Sequence, residues 1–395
     1  MSRILAVWEL GANMGHIDRL LVTARALRAR GHDVRLLLRD LSRAHARVAV
    51  EGFAMGQAPV WLPRMAHPPR LGNFAAVLAA AGWLDAPGLA GLVCGWRDAF
   101  ALARPDAVIC DHAPTALLAL RGTGITPWAV GDSFVLPPPG AAFPPLQHDA
   151  AEAARCPAYD ATVLAPVNRA LALLGEPPLP GLTDLFVPAH KALLGLPELA
   201  HFDGYPAGTT WAGPSYAGDI GGVPCWPAGD GPRVFAYLDP SHPEFNKTMA
   251  ALKALNVVAL VHAKGLALEA AQRLAGPRLR FEAAPLQMDA TVAAADVVVS
   301  HASLGTATAA VLAGKAQLLL PSHAEQALVA RRLVQGGLGL QVALGRAGVD
   351  VQALLGRLLH DTAFADAART LATRHAGASP QRTGERLADL VQTTL

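Results

Sequence analysis

The chain has 395 residues, of which 52% are hydrophobic and only 16% are charged, and its formal net charge at pH 7 is +2. This length is enough for two domains of ordinary size, each with its own core. The weak net charge produces no field that would attract nucleic acid, so a small, weakly charged ligand is the more natural partner.

The apolar stretches predict neither a membrane span nor a signal peptide. Charge, proline or glycine interrupts each of them before the roughly 20 residues that a spanning helix needs. Near the start of the chain, Glu9, Asn13 and Asp18 break the apolar run that a signal peptide requires. We therefore expect a cytoplasmic protein with no transmembrane segment, although peripheral contact with a membrane is compatible with the sequence.

The four cysteines are scattered along the chain and form no CxxC pair, which indicates neither a zinc site nor a disulfide framework. We expect reduced thiols at Cys94, Cys110, Cys156 and Cys225.

Strand-like and helix-like segments alternate in the first half of the chain. Short apolar runs predict strands at residues 4–10, 33–38, 107–110 and 128–130. Residues 20–30 have the composition of a helix that Gly31 ends. This alternation predicts a parallel sheet.

The loop at residues 11–18 follows the first predicted strand and carries His16. Its glycine spacing is not that of the GxGxxG fingerprint, and Asp40 is only loosely placed for ribose binding, so a nicotinamide cofactor is disfavoured. His16 should lie at the carboxyl end of a parallel strand, the edge where open α/β sheets bind their ligands. The alternative is a solvated histidine or one that only hydrogen-bonds the start of a helix.

Asp111 ends another predicted strand at the same edge of the sheet and could pair with His16. A carboxylate bonded to one imidazole nitrogen fixes the tautomer, while the other nitrogen can take a proton from a hydroxyl. Alternatively, Asp111 only caps the helix that begins near Thr115.

Two irregular apolar regions interrupt the first half, and the second is a proline-rich loop at residues 134–145. Long loops in a compact domain often bind ligands, but they also cover sheets. The apolar side chains there fit either a ligand site or the core, and they include Trp61, Met65, Phe74, Trp83 and Phe134.

A second series of strands is predicted at residues 234–238, 257–261, 279–282, 297–300 and 317–320, which implies a second doubly wound sheet. The bridge at residues 205–232 is rich in glycine and proline, as a linker should be. The pattern of residues 381–395 predicts an amphipathic helix with Leu387, Leu390 and Val391 on one face. We predict one domain at residues 1–210, completed by 381–395, and another at 211–380.

The most informative stretch is residues 299–306, where a predicted strand ends and a helix follows at residues 306–313, closed by Gly314. The unpaired N–H groups of such a helix start favour an anion such as a diphosphate. His301, Ser303 and Thr306 add side-chain donors there. An arbitrary junction of this kind more often holds only a cap and a core histidine.

With these features placed, the chain resembles the GT-B nucleotide-sugar glycosyltransferases over nearly its whole length, in particular the group of plant UDP-glycosyltransferases and bacterial macrolide glycosyltransferases. The strongest block is similar in order and spacing to the family's PQ pair, HGGxGT motif and PxxxDQ motif. It consists of Ala284-Pro285-Leu286-Gln287, then His301-Ala302-Ser303-Leu304-Gly305-Thr306, then Leu320-Pro321-Ser322-His323 with Glu325-Gln326.

The resemblance implies the α/β GT-B fold, in which two doubly wound, Rossmann-like domains face each other across a cleft. It implies a donor site in the second domain, with the diphosphate at His301, Ser303, Gly305 and Thr306, the sugar hydroxyls at Glu325 and Gln326, the base at Gln287 and a phosphate at Ser241. In the first domain, which would bind the acceptor, Gly15-His16 matches the motif of the catalytic base and Asp111 matches its acidic partner.

The chain differs from the family pattern at several positions. Ala302 and Ser303 replace both glycines of HGG, Glu325 replaces the usual aspartate, and Ala284 stands where plant enzymes carry the aromatic that stacks on uracil. The loop at residues 239–242 lacks the usual glycine. These positions bear on which donor is bound.

The activity implied is an inverting, metal-independent transfer of a sugar from a UDP- or dTDP-sugar to a hydroxyl of a small, largely apolar acceptor. His16 would be the general base and Asp111 its partner, with no cofactor beyond the nucleotide sugar, and the apolar side chains named above would contact the acceptor. One alternative is a sugar-nucleotide epimerase of the same fold, which needs more acidic groups than Glu325. Another is a non-catalytic sugar-nucleotide-binding or partner protein, which would need neither His16 nor Asp111.

Overall fold

A computed structural model describes residues 1–11, 15–63, 65, 67, 69–147, 149–346 and 348–395. The chain divides into two compact units. The first comprises residues 1–195, 202–215 and 381–395, and the second comprises residues 196–201 and 216–380. The first unit extends to residue 215, a few residues past the boundary expected at residue 210, and the short segment 196–201 belongs to the second unit.

The first unit is built on a parallel sheet. Its strands are β1 Arg3–Trp8, β2 Asp33–Leu38, β3 Ala54–Gln57, β4 Ala107–Asp111, β5 Thr126–Asp132, β6 His190–Leu194 and β7 Trp211–Gly213. In the described residues these seven strands lie in the order β3-β2-β1-β4-β5-β6-β7. The helices before the second unit are α1 Gly15–Ala29, α2 Leu41–Val48, α3 Ala75–Leu78, α4 Ala86–Ala103, α5 Pro114–Ala119 and α6 Ala150–Leu173.

Both faces of this sheet are covered by apolar side chains. Along β1, Ile4, Ala6 and Trp8 pack into one buried cluster, while Leu5 and Val7 pack into another on the opposite face. This alternation follows from the two-residue period of a strand. The sheet edge where the parallel strands end is therefore where polar side chains can gather.

The second unit is also built on a parallel sheet. Its strands are β8 Arg233–Leu238, β9 Val258–Ala263, β10 Leu279–Phe281, β11 Val297–Ser300, β12 Ala316–Leu319 and β13 Gly339–Gln341. Within the described ranges the order is β10-β9-β8-β11-β12-β13. Its helices are α7 Phe245–Ala254, α8 Leu268–Leu274, α9 Met288–Ala293, α10 Leu304–Leu312, α11 Ala324–Gln335, α12 Val351–His360 and α13 Thr362–Arg374.

The last helix, α14 Pro380–Gln392, packs on the first unit. Leu387 and Val391 are buried in the cluster that contains Trp8, as the predicted amphipathic face requires. A side chain at Gly384 would collide with the backbone of Val22 in α1, so the two helices approach closely there. The Trp128 indole N–H donates to Thr394 Oγ1 at 3.0 Å, which ties the end of the chain to β5.

The predicted class, two doubly wound parallel sheets, is confirmed. Strands 33–38 and 297–300 have the predicted ends, whereas β1 ends at Trp8 instead of residue 10 and the short strands β3, β6, β7 and β13 were not predicted. In the part of the chain that the structure describes, no single helix is long and apolar enough to cross a membrane. The consecutive segments Ala75–Trp83 and Ala86–Ala103 meet that test only together, and they are bent by 83°.

Glu9, which follows β1, caps α5. Its side chain is 1% exposed, and its Oε2 accepts a hydrogen bond from the Thr115 N–H at 2.8 Å. The alternative in which Asp111 caps this helix is therefore wrong. Burial raises the pKa of Glu9 to about 7, although the hydrogen bonds from Thr115 act in the opposite direction.

Glu9 should make the stability of the fold fall as the pH rises. Because its folded pKa of about 7 lies above the ordinary value of 4.5, the folded state holds the proton more tightly, and stability present below pH 4.5 is lost as the pH passes 7. The loss by pH 8 is on the order of 3 kcal/mol. Glu9→Gln keeps an acceptor for Thr115 without a charge, so its Tm should exceed that of the wild type increasingly between pH 5 and 8. Parallel Tm profiles would contradict this account of Glu9.

Candidate functional site

His16 and Asp111 meet at the carboxyl edge of the first sheet. Asp111 is the last residue of β4 and pairs in register with Trp8, the last residue of β1, while His16 is the second residue of α1. His16 Nδ1 lies 3.2 Å from Asp111 Oδ1, and the two side chains are 9% and 1% exposed. The structure thus brings together the two residues that the sequence predicts to pair, and their catalytic roles stay a prediction.

Two further charged residues belong to this cluster and were not predicted. The Arg19 Nε donates to Asp111 Oδ2 at 3.1 Å, its Nη1 donates to Asp132 Oδ2 at 2.5 Å, and its Nη2 lies 2.7 Å from His16 Nδ1. Arg19 is three residues after His16 and so lies on the same face of α1. Asp132 ends β5, the neighbour of β4. A search for charged residues at consecutive strand ends would have found it.

Aromatic rings enclose the imidazole of His16. The Trp8 ring stacks on it with centroids 5.4 Å apart, and the His112 ring lies 5.5 Å away on a tilted plane. Burial lowers the pKa of His112 to about 3, and the nearby His16 acts in the same direction. His112 is therefore neutral near pH 7, which leaves Asp111 and Arg19 as the charges in contact with His16.

Gly11 provides the space beside the other nitrogen of His16. A Cβ at this position would lie 2.5 Å from His16 Nε2, and the φ of Gly11 is +85°. Any other residue would be strained in that backbone conformation and would press on Nε2. The residues that follow, 12–14, lie outside the described part of the chain.

The predicted acceptor residues occupy different environments. Phe74 and Trp83 are completely buried in the core of the first unit, and the Trp83 indole donates to Thr115 Oγ1 at 3.1 Å. Phe134 is partly buried against the same core. The Trp61 indole lies over Gly82 and Gly88, and Met65 is 40% exposed. The acceptor role stays a prediction for this set, and Phe74 and Trp83 have an evident structural role.

In the second unit, His301 joins the ends of three strands. Its Nδ1 lies 2.7 Å from the Leu320 carbonyl oxygen, and its Nε2 accepts from the Asp239 N–H at 2.7 Å. Because a carbonyl only accepts and an amide N–H only donates, these partners select the neutral imidazole with its proton on Nδ1. His301 thus holds the loops after β8 and β12 against the end of β11.

The backbone after His301 has the conformation that a glycine motif would adopt. Ala302 has a φ of +60° and is completely buried in an apolar cluster, so its methyl group occupies the core. Ser303 precedes the first residue of α10 but does not cap it, since its hydroxyl donates to Thr306 Oγ1 at 3.2 Å. The Ser303 hydroxyl therefore does not compete with an anion for the first N–H groups of α10.

The other predicted donor residues lie on the loop after β8 and in the first turn of α11. Asp239 Oδ1 accepts from both the N–H and the hydroxyl of Ser241, at 2.8 and 2.7 Å, and the Ser241 N–H is the main cause of the lowered pKa of Asp239. Gln326 Oε1 accepts from the Ser322 N–H at 2.8 Å. Glu325 lies in the first turn of α11. Ser241 thus lies on one of the two loops that His301 connects, and Gln326 hydrogen-bonds the other from α11.

Gln287 pairs with the glycine-rich segment predicted as a linker, whose residues 216–232 belong to the second unit. Its N–H donates to the Gly222 carbonyl at 2.9 Å, and the Gly222 N–H donates to the Pro285 carbonyl at 2.8 Å. A Cβ at Gly221, whose φ is +117°, would collide with that Pro285 carbonyl. Gly221 and Gly222 therefore hold the predicted base-binding segment within the second unit, a role that composition alone did not indicate.

Within the described ranges, no group of three or more His, Cys, Asp or Glu side chains is arranged to hold a metal ion. Metal independence stays a prediction.

Gly11→Ala tests the packing beside His16 Nε2. A left-handed alanine costs roughly 1–2 kcal/mol from the backbone alone, and the new methyl group would also collide with the imidazole. Gly122→Ala is a matched control, because Gly122 has a φ of +70° and no described neighbour within 4 Å of the added Cβ. Urea unfolding should show a larger loss of unfolding free energy for Gly11→Ala than for Gly122→Ala. Equal losses would mean that His16 does not occupy this position.

The fold is shared with solved structures along the entire chain. No protein-family model and no curated protein sequence matches it. The glycotransferase of kitacinnamycin is 20% identical with a TM-score of 0.74, covering 100% of this chain and 99% of that one. SsfS6 of Streptomyces sp. SF2575 in complex with thymidine diphosphate is 22% identical with a TM-score of 0.66, and both chains are fully covered. The spinosyn rhamnosyltransferase SpnG with thymidine diphosphate is 19% identical with a TM-score of 0.68, covering 99% of each chain. The protein thus has the GT-B fold, with two Rossmann-like units, that its sequence predicts.

Proposed function

We propose that the protein is a glycosyltransferase that moves a sugar from a nucleotide diphosphate sugar to a hydroxyl group of a small, largely apolar acceptor. The observation that carries the proposal is the buried hydrogen bond between His16 and Asp111. A protein that only binds a sugar nucleotide needs no such pair at the ligand-binding edge of its first sheet. The likeness of the whole chain to glycosyltransferases supports the same assignment.

In the proposed reaction, the acceptor oxygen attacks the anomeric carbon while His16 Nε2 takes its proton. The bond from that carbon to the diphosphate breaks, and a single displacement inverts the configuration. Asp111 keeps the proton of the resting imidazole on Nδ1 and stabilises the imidazolium that forms. General base catalysis of this kind contributes about two to four orders of magnitude to the rate.

We assign the donor to the second unit. The leaving diphosphate would accept hydrogen bonds from the first N–H groups of α10, including those of Gly305 and Thr306, and from the Ser303 hydroxyl. His301 would hold the surrounding loops through its two backbone hydrogen bonds. Ser241 would contact a phosphate, Glu325 and Gln326 the sugar hydroxyls, and the segment at Gln287 the base.

We propose a thymidine diphosphate sugar as the donor, bound without a metal ion. Two structures with the same fold, SsfS6 and SpnG, contain thymidine diphosphate. The dipole of α10 supplies positive potential where other enzymes use a cation. For the acceptor, the structure of SpnG in complex with spinosyn aglycone supports a small acceptor molecule, and Trp61, Met65 and Phe134 are the proposed contacts that are not completely buried.

His16→Ala should remove transfer and leave nucleotide affinity intact, because the substitution lies in the first unit. The measurement is sugar transfer from dTDP-glucose to a panel of phenolic and polyketide alcohols by mass spectrometry, alongside calorimetric titration with dTDP. We expect a rate loss of about 100-fold or more. His45→Ala, an exposed histidine on α2, is the control and should retain full transfer. Equal turnover by His16→Ala and the wild type would remove the base assignment, and an epimerised donor without transfer would favour an epimerase.

Ser303→Asp should block the diphosphate site while it stabilises the unliganded protein. An aspartate before Leu304 would accept hydrogen bonds from the first turn of α10 and repel an anion. In the wild type, dTDP at 100 times its Kd should add about 2.7 kcal/mol of stability, visible as a raised Tm in EDTA as well as in Mg²⁺.

The control is Ala267→Asp, which puts the same charge before α8, where no side-chain cap is present. It should keep the dTDP-induced rise in Tm that Ser303→Asp loses. If no nucleotide diphosphate raises the Tm of the wild type, the donor assignment is wrong.

A further inference from the structure

We infer that Arg19 and Asp132 are positioning residues that set the charge and the proton position of His16. This inference deepens the proposed function and rests on it only where it concerns catalysis. It starts from the fact that one nitrogen, His16 Nδ1, has two partners of opposite character, Arg19 Nη2 at 2.7 Å and Asp111 Oδ1 at 3.2 Å.

The two partners compete for His16 Nδ1. A guanidinium N–H can only donate, so its contact requires Nδ1 without a proton, which places the proton on Nε2. A carboxylate can only accept, so its hydrogen bond requires the proton on Nδ1 and leaves Nε2 ready to take one from the acceptor. Arg19 therefore opposes the tautomer that catalysis needs, and Asp111 favours it.

Asp132 counteracts Arg19. Its Oδ2 accepts from Arg19 Nη1 at 2.5 Å, and its Oδ1 accepts from the N–H groups of Phe134 and Val135 at 3.0 and 3.3 Å, which hold the carboxylate in place. Among the described residues, these hydrogen bonds join two carboxylates, one guanidinium and the imidazole. Without the charge of Asp132, Arg19 would neutralise Asp111, and a protonated His16 would have no net counter-charge.

No other charge in the described surroundings of His16 takes over this function. On α1, Asp18 is paired with Arg47 at 2.8 and 2.5 Å. From β1, the stacked Trp8 ring is uncharged, and the buried Glu9 that follows β1 hydrogen-bonds the Thr115 N–H and not His16. After β4, His112 is kept neutral by the burial that lowers its pKa. The charge that His16 experiences is thus set by Asp111, Arg19 and, through Arg19, by Asp132.

The inference requires Arg19 and Asp132 to act on His16 in opposite directions. Asp132→Asn keeps the shape and the acceptor oxygen but removes one of the negative charges beside Arg19, so the His16 imidazolium becomes less stable. Arg19→Met removes both the cation and the competing donor, so the imidazolium becomes more stable. In the double variant the two changes in charge cancel. A purely structural role of either residue predicts no such order.

The experiment is an NMR pH titration of the full-length protein labelled with [¹³C]histidine. Among the 14 histidines, the His16 signal is the one absent from His16→Ala. We expect the His16 midpoint to rise by about one pH unit or more in Arg19→Met and to fall by roughly half a unit or more in Asp132→Asn. The His16 midpoint of the double variant Arg19→Met/Asp132→Asn should be close to that of the wild type. The midpoint of Arg19→Lys should be nearer to the wild-type value than that of Arg19→Met.

Arg25→Met is the matched control, because Arg25 lies on the same helix and pairs with Glu51 outside the cluster. It should leave the His16 midpoint unchanged. Shifts of the same sign in Arg19→Met and Asp132→Asn, or midpoints equal to that of Arg25→Met, would overturn the inference. If Arg19→Met does not fold, Asp132→Asn decides, since it must lower the His16 midpoint relative to Arg25→Met.

The titration needs no substrate, so it separates this inference from the proposed function. The predicted order of midpoints in a protein that transfers no sugar would uphold the charge network and refute the glycosyltransferase assignment. If transfer depends on His16 but the His16 midpoint is the same in every variant, the charge network is refuted and the glycosyltransferase assignment is upheld. In an active protein, the acid limb of kcat/KM should move in the same directions as the midpoints.

Discussion

The contact between His16 Nδ1 and Asp111 Oδ1 is the interaction on which the rest of the first unit's candidate site depends. A carboxylate buried as deeply as that of Asp111 is unfavourable unless it is hydrogen-bonded and paired with opposite charge. His16 and Arg19 from one helix meet that requirement, and Asp132 from the next strand balances Arg19. The parallel register of β1, β4 and β5 places the ends of these strands together, so sheet topology and site geometry have the same origin.

The two units use histidines at their sheet edges in different ways. His16 shares one nitrogen between a cation and an anion, an arrangement that makes its charge and tautomer sensitive to its neighbours. His301 is held by two backbone groups that select one neutral tautomer. The first arrangement suits proton transfer, and the second suits a fixed scaffold around a helix start that binds an anion. Both residues are histidines near the carboxyl end of a parallel sheet, but their partners differ, and the partners determine the chemistry.

Much of the fold follows from local patterns in the sequence. Apolar β-branched runs separated by helix formers predict both parallel sheets, and β2 and β11 have the predicted ends because turn residues and charges bound them clearly. Short strands such as β7 and β13 were missed, since three residues carry too little periodicity to be recognised. Within the site, His16 and Asp111 could be predicted because each follows a recognisable strand on the same edge.

The remaining features depend on contacts between distant parts of the chain. Arg19 and Asp132 are separated by 113 positions, and only the folded sheet shows that they pair. Glu9 caps α5 across a comparable separation, so the sequence pointed to the nearer Asp111 instead. Phe74 and Trp83 are apolar aromatic residues of the kind that line an acceptor site, but both are buried in the core. Composition alone does not distinguish these two roles. Ala302 has a glycine-like φ, and its methyl group packs into an apolar cluster, which the motif comparison could not reveal.

The most direct test of the central claim is the pH dependence of kcat/KM for sugar transfer by Asp111→Asn and the wild type, with the anomeric configuration of the product determined by NMR. The substituted amide would keep the shape of the Asp111 side chain but could not stabilise the His16 imidazolium. The account predicts an inverted product, a rate that rises with pH in the wild type, and a loss of about 100-fold or more in the variant. A variant with the wild-type rate and pH profile, or a product with retained configuration, would contradict it.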